Sequence, residues 1–246
     1  MKRLGWLVPL GLSLLLASVA LYGIQYAIFR DSRQLFVYLI ADIAFLPIQV
    51  LLVTLVLNEL LSERDRRARI QKLNMIIGVF FSETGTALLA FFANVDPKLE
   101  DIRRDLIMTG EWSPRQFDGV SQKLRHYDYS VEILRADLDE LRTLLQAKRD
   151  FLLQLLQNPN MLEHESFAEL LRAVFHLTEE LVMRERVLEI PIRDIDHLAG
   201  DMRRVYVLLV EQWLGYMRHL RDEYPYLFSL AMRTNPFDQN ASPVVS

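Results

Sequence analysis

The chain runs GWLVPLGLSLLLASVALYGIQYAIFRDSRQLFVYLIADIAFLPIQVLLVTLVLNELL from Gly5 to Leu61. This stretch contains two long apolar segments, 6–29 and 35–57, separated only by the polar pentapeptide RDSRQ at 30–34. Each segment exceeds the ~20 residues that a helix needs to cross a hydrocarbon core about 30 Å thick. In lipid, a helix satisfies every backbone N–H within its own segment. The pattern therefore predicts a transmembrane helical hairpin in residues 1–61.

The cations that flank the two segments predict the orientation of the hairpin. Seven lie on the side of the termini and two lie in the linker; they are Lys2, Arg3, Arg64, Arg66, Arg67, Arg69 and Lys72 against Arg30 and Arg33. Because cytoplasmic loops carry the excess of Lys and Arg, we expect both termini to be cytoplasmic and the protein to be integral to the cell membrane. The alternative is a signal peptide cleaved after Ala20, but the apolar run continues well beyond that residue.

The composition of the chain excludes several classes of function. The 246 residues carry a net charge of −4, which gives no basic field for nucleic acid. There is no cysteine, so disulfides, thiolate metal sites and cysteine nucleophiles are excluded. No phosphate-binding glycine loop, nucleophile elbow or zincin motif is present. We expect no enzyme activity, no metal and no cofactor.

The most polar side chains of the predicted spans are Gln25 in the first, and Asp42 and Gln49 in the second. Asp42 and Gln49 are seven residues apart and share a helix face, on which Gln25 is a candidate partner. Because an ionisable residue in a span costs roughly 2.5–3.5 kcal/mol on insertion scales, such a residue is a candidate functional site. A structural polar contact near the interface is the alternative.

A basic juxtamembrane segment and an apolar helix follow the hairpin, in residues 62–95. The cations of this segment are candidate ligands for anionic lipid headgroups, each adding about 1 kcal/mol; they are Arg64, Arg66, Arg67, Arg69 and Lys72. Residues 73–95 are largely apolar, with the polar group Ser82-Glu83-Thr84-Gly85-Thr86 at their centre. A buried or interfacial helix, a third span and a re-entrant pair are the alternatives for this stretch.

Residues 96–233 are predicted to form a cytosolic helical bundle with long, heptad-patterned helices. Apolar residues alternate four and three apart along two predicted helices, 114–158 and 193–223; they are Val120, Leu124, Tyr127, Val131, Leu134, Leu138, Leu141, Leu145 and Leu152 in the first, and Ile195, Ala199, Met202, Tyr206, Leu209, Trp213, Tyr216 and Leu220 in the second. Such seams pack either within one chain or between subunits. Ser113-Pro114-Arg115-Gln116 predicts a capping box at the start of the first helix. Residues 234–246 are predicted to be a flexible tail.

The sequence thus predicts an all-α membrane protein with no evident catalytic chemistry. Our main hypothesis is a membrane-anchored, non-catalytic interaction or scaffold protein that forms homo-oligomers through its heptad seams, with a protein partner that the sequence does not identify. The alternative is a subunit of a small oligomeric channel or transporter, with Asp42 and Gln49 lining the path through the membrane. A metal site using His176, Glu179, Glu180 and His197 is not expected, because the spacing does not match the Glu-x-x-His pairs of di-iron bundles.

Overall fold

The computed structural model describes residues 7–30, 32–108, 110, 112–159, 161, 164–184 and 191–244. These residues form helices, turns and loops, with no strand among them, which confirms the prediction of an all-α protein. The chain divides into two compact units, residues 1–66 and 67–246.

Ten α-helices and two short helical turns make up the described part of the chain. They are α1 (Leu7–Phe29), α2 (Ser32–Phe80), a π-helical turn (Phe81–Gly85), α3 (Thr86–Val95), α4 (Glu100–Leu106), α5 (Pro114–His126), a 3-10 turn (Ile133–Arg135), α6 (Leu138–Ala147), α7 (Arg149–Leu156), α8 (Glu165–Met183), α9 (Ile192–Glu223) and α10 (Pro225–Arg233).

The first unit contains α1 and the part of α2 that precedes Arg67. Large apolar side chains are exposed along both helices, for example Leu16 and Leu21 on α1 and Ile40 on α2. Arg30, which follows α1 directly, has a left-handed backbone conformation with φ 47°. Its N–H donates to the Tyr26 carbonyl at 2.9 Å. By length and composition, Pro9–Ile28 and Phe36–Arg64 are each apolar enough to cross a membrane.

The second unit is a helical bundle built around α9. This helix contacts α3, α5, α8, α10 and the π-helical turn. Its predicted seam lies inside the bundle, where Met202, Tyr206 and Leu209 are almost completely buried. The seam side chains on α5, α6 and α7 are buried in the same core, including Leu124, Leu141 and Leu152. Most of the side chains of both seams are therefore packed within one chain, but Leu134 of the first seam is 88% exposed.

The predicted helix over 114–158 is wrong as a single element, because the chain leaves the helical path after His126. The main chain is extended at Tyr127 and Glu132. The Glu132 N–H donates to the Val95 carbonyl at 2.9 Å, and the Tyr127 hydroxyl donates to the buried Asp96 carboxylate at 2.7 Å. These tertiary hydrogen bonds replace the intrahelical ones across the break. A new helix then begins at Asp137, whose carboxylate accepts the Glu140 N–H.

The segment predicted as a flexible tail begins with residues that are packed in the core. Phe237 is fully buried and its ring lies 5.0 Å from that of Trp213. The Asn235 side chain donates to the Leu106 carbonyl at 2.8 Å and accepts the Phe237 N–H at 3.0 Å. The packed part of the bundle therefore extends to Phe237.

Ile70–Val95 is also long and apolar enough to cross a membrane by composition, but much of it faces the interior of the second unit. Leu73, Ile77, Phe80, Leu88 and Phe92 belong to the core of the bundle. Four residues of the polar group at its centre, Ser82 to Gly85, lie in the π-helical turn, which separates α2 from α3.

Candidate functional site

A cavity of about 610 Å³ opens on the second unit beside the π-helical turn. Residues from the end of α2, the turn itself, the end of α9 and one side of α10 contribute to its walls. The cavity falls within the range of about 300–1,000 Å³ that is typical of small-molecule sites.

The π-helical turn is held by the carbonyl of Phe81, which accepts two hydrogen bonds from Thr86. The Thr86 N–H is the i+5 donor that defines the wide turn, and the Thr86 hydroxyl donates at 2.9 Å. Gly85 is required here, because a Cβ atom would lie 2.6 Å from Cδ1 of Phe81 and 2.8 Å from Cε1 of Phe80. Single π-helical turns within α-helices frequently occur at functional sites.

An aromatic pair forms one wall of the cavity. The rings of Phe81 and Tyr216 are stacked, with centroids 5.2 Å apart and planes 10° apart. The Tyr216 ring also packs against Gly78 of α2, where a Cβ atom would make an ordinary van der Waals contact with it at 3.4 Å. Burial raises the pKa of the Tyr216 hydroxyl above its ordinary value, so the group is neutral at physiological pH.

Asn74 and His219 supply neutral hydrogen-bonding groups to the cavity. The Asn74 amide nitrogen lies 3.2 Å from Nδ1 of His219. Since an amide nitrogen can only donate, Nδ1 accepts and Nε2 carries the proton. Burial lowers the pKa of His219 below its ordinary value, while the nearby Glu223 and Asp222 carboxylates act in the opposite direction. The ring is therefore neutral at pH 7.

Glu83 is the one ionised residue among those that line the cavity. Its Oε2 atom lies 2.9 Å from Nζ of Lys148, at the junction of α6 and α7. The side chains of both partners are partly exposed, so the pair contributes little to stability. It does neutralise the carboxylate, which leaves the cavity without a net charge.

The intramembrane candidates have a different arrangement from the predicted one. Asp42 accepts a hydrogen bond from Tyr22 on α1, at 2.9 Å, and not from Gln25. Gln25 is half-buried and Gln49 is exposed, and neither side chain has a hydrogen bond among the described residues. Tyr22 was not predicted from the sequence as the partner of Asp42, because a tyrosine in an apolar span has the same appearance as an ordinary interfacial aromatic residue.

The candidate headgroup ligands are only partly described. Arg64, Arg66 and Lys72 are exposed. The side chains of Arg67 and Arg69 lie outside the described part of the chain.

Acidic side chains on α8 and α9 lie close to Arg184 and to two histidines. Arg184 binds Asp194 at 2.7 Å and Glu180 at 2.6 Å, and these hydrogen bonds lower the pKa values of both carboxyl groups. His176 and His197 lie 3.3 Å and 3.5 Å from the same oxygen of Asp201. In the part of the chain that the structure describes, no group of three His, Cys, Asp or Glu residues could hold a metal ion.

The two units and the cavity define a class: an all-helical protein with one unit of exposed, membrane-length apolar helices and a second unit with its own core. The chain belongs to the family described as "Uncharacterized protein MJ1433, C-terminal helical domain", whose model matches residues 69–233. The model of "MJ1433, N-terminal helical domain" matches residues 2–61. The "Uncharacterized protein MJ1433" of Methanocaldococcus jannaschii is 41% identical over 236 residues, which cover 96% of this chain and 95% of that protein. No solved structure matches the chain.

Proposed function

We propose that this protein is a membrane-anchored, non-catalytic interaction protein. In this proposal α1 and the first part of α2 form a hairpin in the bilayer, and residues 67–246 form a cytosolic bundle that binds its partner. The observation that carries the proposal is the contrast between the two units: the first leaves its large apolar side chains exposed, and the second buries its own.

The exposure of the first unit supports a bilayer as its solvent. In the two membrane-length segments of this unit, Pro9–Ile28 and Phe36–Arg64, none of the residues is buried inside the protein. A helix that is apolar on every face requires an apolar environment around it. Exposed apolar surface on this scale is rare in water. The excess of cations on the side of the termini supports a cytoplasmic location for both of them.

Two spans per chain fit the second unit better than three. A span formed by Ile70–Val95 would expose to lipid the residues that now pack against α9, such as Phe92, which stacks on Tyr206. It would also place Glu83 in the hydrocarbon, where a charge is costly.

The heptad seams are weak candidates for the interaction surface of the bundle, because most of their side chains pack in the chain's own core. Homo-oligomerisation stays a prediction, and the mass of the full-length protein in detergent, corrected for bound detergent, tests it. The exposed apolar side chains around the cavity, including Met75 and Leu230, are the better candidate surface.

The absence of cysteine from the sequence permits a direct test of the topology. Single-cysteine variants Arg33→Cys, in the linker, and Gln239→Cys, after the bundle, are exposed to a membrane-impermeant maleimide on intact cells. We expect Arg33→Cys to react at once and Gln239→Cys to react only after permeabilisation. Extraction of the protein by alkaline carbonate, or labelling in the reverse order, would refute the proposal.

A channel or transporter subunit is the second candidate, and the carboxylate of Asp42 within a membrane-length helix favours it. Two spans cannot enclose a pore, so this function requires several subunits. If Asp42 lines a path, Asp42→Asn changes ion flux in liposomes that contain the full-length protein; unchanged flux removes Asp42 from the mechanism.

A further inference from the structure

The cavity beside the π-helical turn has the features of a ligand site that the anchoring function does not use. We propose that it binds one uncharged amphiphile, a molecule with an apolar body and a single hydroxyl head. This inference rests on the second unit alone and does not depend on the insertion of the hairpin into a bilayer.

The walls and mouth of the cavity fit an apolar body. Phe81 and Leu220 form buried walls. At the mouth, large apolar side chains remain exposed; Met75 is 70% exposed, Val79 46% and Leu230 45%. Several exposed apolar residues around one opening differ from the single ones scattered over ordinary surfaces. An apolar body in the cavity would remove this surface from water, which is favourable.

The Asn74–His219 pair fits a hydroxyl head. Because Nδ1 of His219 accepts from the Asn74 amide nitrogen, two groups of the pair remain available: Oδ1 of Asn74, an acceptor, and Nε2–H of His219, a donor. Neither has another hydrogen bond among the described residues. A hydroxyl group both donates and accepts hydrogen bonds, so it can donate to Oδ1 of Asn74 or accept from Nε2–H of His219.

The charges around the cavity disfavour an ionised head. The carboxylate of Glu83 is neutralised by Lys148, so no unpaired cation or anion remains among the lining residues. Taking a charged head out of water without a partner of opposite charge is strongly unfavourable. Carboxylates, phosphates and amines with the same apolar body should therefore bind more weakly than an alcohol.

The test compares three soluble probes that share one apolar body: phenylbutanol, phenylbutylamine and phenylbutanoate. Each is titrated at neutral pH into the purified full-length protein, and the signal from matched protein-free buffer is subtracted. We expect the alcohol to bind with a one-to-one stoichiometry, and both charged probes to bind at least about tenfold more weakly.

Two variants connect the binding to the cavity. Asn74→Leu removes the acceptor and should weaken phenylbutanol binding several-fold, whereas Asn94→Leu, at an exposed position at the end of α3, should leave it unchanged. Ala231→Phe fills the cavity and should abolish binding of the alcohol; it provides a second readout if Asn74→Leu unfolds the bundle.

The proposal is refuted if no probe binds, if a charged probe binds as tightly as the alcohol, or if Asn74→Leu and Ala231→Phe both bind like the parent protein. Failure of the anchoring function is separately visible, because it appears as carbonate extraction of the protein and not as loss of probe binding.

Discussion

The hydroxyl of Tyr22 donates to Oδ2 of Asp42 at 2.9 Å and thereby joins α1 to α2 within the first unit. This contact gives the carboxylate of Asp42, on α2, a hydrogen-bond donor from the same chain. Hydrogen bonds between membrane helices are of modest strength. We predict that Tyr22→Phe shifts the unfolding equilibrium of the hairpin by roughly threefold toward the unfolded form. Unfolding of the full-length protein by SDS in mixed micelles measures this shift.

Tyr26→Phe is the matched control for that experiment. Tyr26 lies one turn further along α1, is exposed, and has no side-chain hydrogen bond among the described residues. Equal effects of the two substitutions would mean that the Tyr22–Asp42 contact does not stabilise the hairpin.

Gly85→Ala should destabilise the bundle by about 1–3 kcal/mol. The added methyl group meets the rings of Phe80 and Phe81, both of which are fully buried, so neither ring can move aside cheaply. Gly215→Ala is the control, because a Cβ atom at this exposed helical position has no neighbour within 4 Å. There, alanine should stabilise α9 by about 0.5–1 kcal/mol.

Urea unfolding of the full-length protein in mild detergent can measure both glycine variants. In a Trp6→Phe background, the fluorescence reports only Trp112 and Trp213, which are buried in the bundle. If Gly85→Ala is as stable as the parent protein, the π-helical turn does not have the geometry described above.

Thr84→Val should stabilise the bundle by about 1 kcal/mol, since it removes a buried hydroxyl that has no hydrogen-bond partner among the described residues. Thr178→Val is the matched control. Thr178 is equally buried, but its hydroxyl donates to the Val174 carbonyl at 2.7 Å. Its replacement should be neutral or destabilising by up to about 1 kcal/mol. The same urea titration compares the two variants, and a loss of stability in Thr84→Val would contradict the prediction.

Features that depend on a few neighbouring residues could be predicted from the sequence. The capping box at Ser113 is confirmed: its side chain accepts the Gln116 N–H, and the Gln116 side chain accepts the Ser113 N–H. Asp137 is a comparable local sign of a helix start, because it is an acidic residue that precedes an acidic first turn. The heptad pattern continues across this position, so the sequence predicted one uninterrupted helix there. Most of the seam residues are buried as predicted, but Leu134 is exposed, and the predicted helix is interrupted after His126.

Features that depend on distant residues could not be predicted. The break after His126 is stabilised by hydrogen bonds to Val95 and Asp96, which are more than thirty residues away. Asn74 and His219, which define the polar part of the cavity, are 145 positions apart. The one local sign of the cavity was the polar group at 82–86 within an apolar run, which the sequence alone could not distinguish from a solvent-facing or re-entrant turn.

The tyrosines near Asp96 should make the bundle sensitive to alkaline pH. Burial raises the pKa values of Tyr127, Tyr129 and Tyr206, and the hydrogen bond to Asp96 adds to the effect for Tyr127. The folded protein therefore holds these protons more tightly than the unfolded chain, so stability is fully present below about pH 10 and is lost as the pH rises further. We expect the tyrosinate absorbance of these residues to appear together with unfolding. Ionisation of all tyrosines before the loss of helical circular dichroism would contradict this.

His219 should give the opposite dependence, at acidic pH. Because burial lowers the pKa of His219 in the folded protein, the unfolded chain binds a proton more readily. The contribution of His219 to stability is thus complete above its unfolded pKa of about 6.5 and decreases as the pH falls below it. Protonation would also turn Nδ1 into a donor facing the Asn74 amide. We predict that His219→Gln reduces the loss of thermal stability between neutral pH and about pH 5, whereas His126→Gln, at an exposed position on α5, leaves it unchanged. If both variants follow the parent protein, His219 is not buried in its neutral form.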